Sequence, residues 1–382
     1  MAAPDHAGGF RTMRRRIRWA LAAFVVASLV LLGACQKTAP DGPKGSQAES
    51  VPAGGGKGAS GAEVAPSDGR QDAAPAKALK KLKLYEVTHS LFYAPQYVAK
   101  NLGFFREEGL DVEIVSGEGG DKVTTALLSG QADLILVGAE MAVYVNAQNP
   151  SDPIVVFARL TQRDGSFLVA REPMPNFRWE DLRGKAYLAQ RKGGMPDTIA
   201  QHILRKHGLE PGRDLEYLQN VDYANLAPAF MAGTGDVVQL FEPFASQVER
   251  AGKGYVVAGL GEEAGTVLYT SYLTRRSRLE TDRDAFVAFT RAIARAQTYV
   301  LEHDDATVYK ALKDDFSGLD REVALKILER LRSQDVWSHD PLPPKEDYAR
   351  TLELIREAGR LEHPLPYEAV VDPTVAEAAL AR

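Results

Sequence analysis

Residues 132–137 read Ala-Asp-Leu-Ile-Leu-Val, a short run that is apolar at every position but one. A strand of that composition is buried on both faces, which requires helices above and below a mainly parallel sheet. The surrounding pattern supplies them. Predicted strands at 82–87, 110–115, 132–137, 154–160 and 167–171 are interleaved with predicted helices at 94–102, 121–129 and 139–147, and Gly130 stands where a helix C-cap belongs. A linker at 172–179 carries Pro173 and Pro175. Beyond it come strands at 185–190, 215–218, 236–241 and 255–258, with helices at 197–207 and 226–232. A strand at 267–274 follows, then amphipathic helices at 284–302, 306–312, 321–333 and 345–358. This order predicts two open α/β units rather than an all-helical or all-β body.

The amino-terminal region is of another kind. Arg14, Arg15, Arg16 and Arg18 precede an apolar run from Trp19 to Leu32, after which the chain reads Leu32-Gly33-Ala34-Cys35. The run is long enough for a signal-peptide core but short of the roughly 20 residues that span a bilayer as a helix. Its end resembles the lipobox of bacterial lipoproteins, in which the cysteine accepts a diacylglyceryl group before cleavage. Residues 1–35 are therefore expected to be a lipoprotein signal peptide, with Met13 an alternative start, and Cys35 the lipidated residue. Two or three acyl chains hold a protein stably on a membrane, whereas one binds marginally. Residues 36–80 are dominated by Ala, Gly, Pro and Ser, with Gly54-Gly55-Gly56 near the middle. They hold too little apolar surface to offset chain entropy and are expected to form a disordered tether spanning roughly 35–40 Å.

Cys35 is the only cysteine in 382 residues. No disulfide, cysteine-ligated zinc or iron–sulfur site, or thiol nucleophile can be built from the rest of the chain. The net charge is −5, with no basic block interleaved with aromatics, which argues against a nucleic-acid partner. His202 and His207 are five apart on a predicted helix and point in different directions, so they form no ligand pair. No cofactor is expected.

Several segments, in order, carry a resemblance. They are Leu91-Phe92-Tyr93-Ala94-Pro95-Gln96-Tyr97-Val98-Ala99, Gly103-Phe104-Phe105, Glu108-Gly109-Leu110-Asp111-Val112-Glu113 and Leu127-Leu128-Ser129-Gly130-Gln131-Ala132-Asp133. Trp179-Glu180-Asp181-Leu182-Arg183-Gly184-Lys185, Lys192-Gly193-Gly194-Met195-Pro196 and Phe241-Glu242-Pro243 follow. Together they resemble the NMT1/THI5-like binding proteins, a group with receptors for sulfonates, nitrate, taurine and thiamine pyrimidine precursors. The resemblance implies a type 2 periplasmic-binding fold: two α/β lobes with a ligand cleft and two interlobe crossovers. The expected first lobe is 81–175 with 265–382, the second 176–264, and the crossovers lie near 173–179 and 262–266. The implied protein is a monomer that captures a small molecule and passes it to an ABC permease with its ATPase.

In open α/β sheets ligands sit beyond the carboxyl ends of strands, at helix amino termini. Ser90, Phe92 and Tyr93 follow the first strand and offer a hydroxyl and two stacking rings. Gly138 and Glu140 follow the third. In the second unit Lys192, Gly193, Gly194 and Met195 lie between a strand and a helix, where glycines let a ligand approach exposed amides. Glu242 ends a strand and is expected to pair with a ligand amino group. Gly165, Ser166 and Tyr272 complete the candidates. Carboxylates beside helix amides suit a ligand that both donates and accepts, such as an aminopyrimidine, better than a simple oxyanion. The other readings are a lipoprotein that senses or scaffolds, and an enzyme like the eukaryotic pyrimidine synthases. That enzyme's cysteine-rich motif is missing here.

Overall fold

The computed structural model describes residues 78–381. The expected signal peptide, Cys35 and nearly all of the expected tether lie outside the described residues. The first sheet is built from β1 (Lys80–Glu86), β2 (Leu110–Ser116), β3 (Leu134–Gly138) and β4 (Ile154–Arg159). Between them run α1 (Ala94–Asn101), α2 (Phe104–Glu107), α3 (Gly120–Leu128) and α4 (Glu140–Asn146). The second sheet takes β5 (Ser166–Ala170), β6 (Ala186–Leu188), β7 (Glu216–Leu218), β8 (Val237–Phe241) and β9 (Tyr255–Gly259), with α5 (Met195–Lys206), α6 (Leu226–Met231), α7 (Phe244–Arg250) and α8 (Leu260–Ala264). The chain then returns through β10 (Thr270–Arg275) and α9 (Arg276–Thr281) to α10 (Arg283–Glu302), α11 (Asp305–Leu312), α12 (Arg321–Ser333), α13 (Lys345–Glu357), α14 (Tyr367–Val370) and α15 (Thr374–Leu380).

Strand order is β2-β1-β3-β10-β4 in one sheet and β7-β6-β8-β5-β9 in the other. Each sheet is parallel through its first three strands and carries one antiparallel strand, β10 or β5, inserted before its edge. That inserted strand is the first one laid down after each crossover. The apolar run expected at 132–137 lies largely in β3, which is buried through Leu134–Val137 with alternate side chains entering two separate hydrophobic clusters. Leu, Ile and Phe side chains sequestered in this way contribute about 1.5–3 kcal/mol each. Phe157 of β4, for example, packs between Phe286, Phe289 and Tyr272, tying the first sheet to α10.

One expected boundary is corrected. β5 was placed in the first lobe, but its residues pair with β8 and β9, so it belongs to the second sheet. The first crossover is therefore 160–165, not 173–179, and Pro173 and Pro175 lie inside the second lobe between β5 and β6. Hydrophobic periodicity identified β5 as a buried strand but carries no information about which sheet it joins. The return crossover falls between α8 and β10. The two crossings are bonded to each other. The Val267 amide donates to Gln162 O at 2.9 Å, Thr161 N to Thr270 O at 3.1 Å, and Thr270 N to the Thr161 hydroxyl at 3.1 Å. A side chain at Gly261 would meet the Asp164 carbonyl at 2.0 Å, so α8 and the first crossing approach as closely as backbone allows.

Candidate ligand cleft between the lobes

A cavity of about 350 Å³ lies between the carboxyl ends of the two sheets, within the size range of small-molecule sites. Each lobe contributes strand-to-helix turns. From the first come the segment after β1, the glycine turn before α3 and the turn from β3 into α4. From the second come the turn from β6 into α5, the loop before α6 and the end of β8.

Six of the candidates line it: Phe92, Tyr93, Gly138, Glu140, Gly194 and Met195. Phe92 and Tyr93 belong to a short helical turn started by Ser90, whose hydroxyl accepts from Phe92 N at 3.1 Å. The turn is held from behind by Trp337, whose indole N–H donates to Phe92 O at 3.0 Å. The Phe92 ring lies 5.7 Å from that of Phe241 and 6.0 Å from that of Tyr269. With Tyr93 and Tyr223 these rings form an aromatic wall drawn from both lobes.

Glu140 is 3 % exposed and spans the cleft, its Oε1 accepting from the Met195 amide at the start of α5 at 3.1 Å. Its Oε2 packs over Gly138, where any side chain would collide with it, and finds no partner on another residue. Burial pushes the carboxyl above its ordinary value. The Glu140 and Met195 amides, with the charges of Arg191 and Arg360, pull the other way.

The remaining candidates do other work. Ser90 Oγ donates to Glu242 O at 2.7 Å, a second tie between the lobes. Gly165 presses against the Phe92 ring. Ser166 bonds to Asp164 and accepts from Gln239 Nε2 at 2.8 Å. Lys192 is exposed, and the Gly193 amide donates to Asp197 at 3.0 Å instead of facing the cavity. Tyr272 is buried between Phe157 and Phe289 with its hydroxyl at 3.3 Å from Gln96. Glu242 is corrected most sharply. Its carboxylate accepts from Ser246 N at 3.0 Å, Ser246 Oγ at 2.9 Å and Arg330 Nη1 at 3.1 Å, and the residue does not line the cavity.

Sequence reasoning missed Arg191, Tyr223, Tyr269 and the turn Gly119-Gly120-Asp121, all of which line the cavity. The glycine turn had a readable signal. Gly119 has φ 149°, a conformation L side chains avoid, and it starts α3 just as Gly194 starts α5. Tyr223 and Tyr269 had none, because nothing local marks their loops. Tyr269 is positioned from the hinge: its hydroxyl donates to Asp164 Oδ2 at 2.5 Å, and Asp164 is fully buried, with its carboxyl raised by that burial. Among the described residues no cluster of His, Cys, Asp and Glu could hold a metal, and no helix is long and apolar enough to cross a membrane.

The fold is that of the periplasmic binding proteins. It superimposes on the alkanesulfonate-binding protein SsuA of Xanthomonas axonopodis pv. citri, bound to MOPS, with TM-score 0.63 and 20% identity, covering 78% of this chain and 99% of that one. The periplasmic nitrate-binding protein NrtA of Synechocystis PCC 6803 matches with TM-score 0.64 and 17% identity over 79% of this chain and 88% of that one. YtlA of Bacillus subtilis (strain 168), whose name describes it as a binding protein, is 46% identical over 299 residues, 78% of this chain and 90% of its own length. The NMT1/THI5-like family model matches residues 92–307, and the chain belongs to that family. Fold and family together place the chain among NMT1/THI5-like proteins with the periplasmic-binding fold.

Proposed function

We propose that this protein is a membrane-tethered extracytoplasmic receptor that closes on a small planar solute carrying hydrogen-bond donors, of the aminopyrimidine kind, and delivers it to an ABC permease. The observation that carries the ligand class is Glu140, a buried carboxylate in the cavity with one oxygen unmatched by any other residue. Leaving a buried charge half-satisfied is costly, and a donor brought by the solute removes that cost. The aromatic wall suits a flat ring. Four carboxylates, Glu118, Asp121, Glu140 and Asp222, line the cavity against only Lys122 and Arg191, which disfavours simple anions. Ligand drives closure only insofar as it binds the closed state better. Ser90 and Glu140 already bridge the lobes in this arrangement. The tether and the lipid on Cys35 rest on the amino-terminal sequence.

The test is a thermal-shift screen of the purified protein against aminopyrimidines, thiamine, riboflavin, aliphatic sulfonates, taurine and nitrate. A ligand that binds only the folded state raises the melting temperature once its concentration exceeds Kd. The expected outcome is a saturable shift with a donor-bearing ring. Because burial raises the Glu140 carboxyl from 4.5, acidification toward that raised value protonates it, and affinity for a donor falls as pH falls. Glu140→Gln should flatten this dependence. Saturable binding confined to sulfonates or nitrate, unaffected by Glu140→Gln, overturns the ligand class.

A further inference from the structure

Glu140 occupies a position where a bound oxyanion would be well placed. Helix α5 is twelve residues long and opens toward the cavity. The two amides just before it are already taken: Gly193 N donates to Asp197, and Gly194 N to the Arg191 carbonyl. The next, Met195 N, donates to Glu140 Oε1. Arg191 and Arg360 both act on the Glu140 charge, and the Arg191 guanidinium stands 3.8 Å from where a side chain on Gly120 or Gly194 would begin. A helix amino terminus with a guanidinium beside it is a setting in which proteins bind phosphate, sulfate or carboxylate; Arg191 fills that role, while Arg360 is itself bonded to Asp197 and Thr198. Here the anion is supplied by the chain itself. Glu140 reaches across from the opposite lobe, is buried, and keeps one oxygen with no partner on another residue.

We propose that Glu140 is a built-in selectivity plug, which occupies the α5 amide and thereby bars oxyanion solutes from a cleft otherwise equipped to hold them. An entering nitrate, sulfate or sulfonate would have to displace a covalently attached carboxylate, which competes at high effective concentration. It would also face Glu118, Asp121 and Asp222 along the same walls. This inference rests on the reading of the cavity as the solute site, but not on which donor-bearing solute fills it.

The experiment is calorimetric titration of the purified protein and of Glu140→Ala and Glu140→Gln, with sodium nitrate, sodium sulfate and sodium methanesulfonate as probes. Circular dichroism and a cooperative melt establish that each variant is folded. The parent should show no saturable binding of any probe up to about 10 mM, and Glu140→Ala should gain it for at least one, tightening about tenfold or more. Glu140→Gln keeps an acceptor for Met195 N but loses the charge, so it should gain less, and it carries the test if the alanine variant fails to fold. Parent binding of an oxyanion that Glu140→Ala does not tighten overturns the plug, as does a folded variant that gains nothing. Aminopyrimidine titrations separate the two proposals. Donor binding to the parent with no oxyanion gain sinks the plug and leaves the ligand class standing. Oxyanion gain with no donor binding to the parent leaves the plug and sinks the ligand class.

Discussion

Gly165→Ala tests how the hinge and the ligand wall are joined. Gly165 lies on the first crossover, and a Cβ there would stand 2.3 Å from Phe92 Cε2, 2.4 Å from Cδ2 and 2.9 Å from Cζ. Carbon atoms rest at about 3.5–4.0 Å, so the deficit exceeds 1 Å. The ring cannot swing aside freely: it packs against Tyr93, Phe241 and Tyr269, and its own carbonyl is pinned by Trp337. Either the ring moves into the cavity or the crossover backs away from its partner strand. Overpacking of this kind costs about 1–3 kcal/mol. Urea denaturation reads the loss directly, and each kcal/mol should lower the melting temperature by about 1.5–2 °C in a folded body of this size. Phe92→Leu removes the colliding ring edge, so the double variant should recover about 1 kcal/mol or more relative to additivity. Solute affinity should fall in the single variant. A Gly165→Ala protein within about 0.5 kcal/mol of the parent, with undiminished affinity, would refute the claim that this contact sets the wall.

Two other substitutions are informative. Glu242→Ala removes the acceptor of Ser246 and of one arm of Arg330, while Glu249 keeps the other arm at 2.6 Å, so we expect a stability loss of about 2–3 kcal/mol in urea titration. Unchanged stability together with lost binding would instead return Glu242 to the ligand site. Cys35→Ser should abolish labelling by a clickable palmitate analogue and move the protein out of the membrane fraction, and persistent labelling would exclude Cys35 as the lipid acceptor.

Much of the architecture was readable because strand and helix formation are recorded in short-range patterns. The strand expected at 132–137, the break at Gly130, and the run of helices after β10 follow from apolar spacing and from a residue that tolerates a positive φ. Part of the cleft was readable for a related reason. In an α/β sheet the strand-to-helix turns gather at one edge, so naming the turns after β1, β3 and β6 names Phe92, Tyr93, Glu140, Gly194 and Met195.

Direction was harder to read than position. Glu242 and Glu140 both lie just past a strand and carry the same chemistry, yet one is claimed by Arg330 from a helix 88 residues away and the other reaches across to α5. Tyr269 and Asp164 are separated by 105 residues and meet only because the two crossovers run side by side.

By itself, the sequence determined the kinds of the main elements, their order and the αβ alternation, since each depends on the chain's immediate neighbours. Only the tertiary structure decided that β5 joins the second sheet, that Glu242 is spent on an internal ion pair, and that Glu140 fills the α5 amide. Sheet partnership and side-chain pairing are settled by contacts between segments far apart in the chain, and no local pattern encodes which of several chemically equivalent partners will be met.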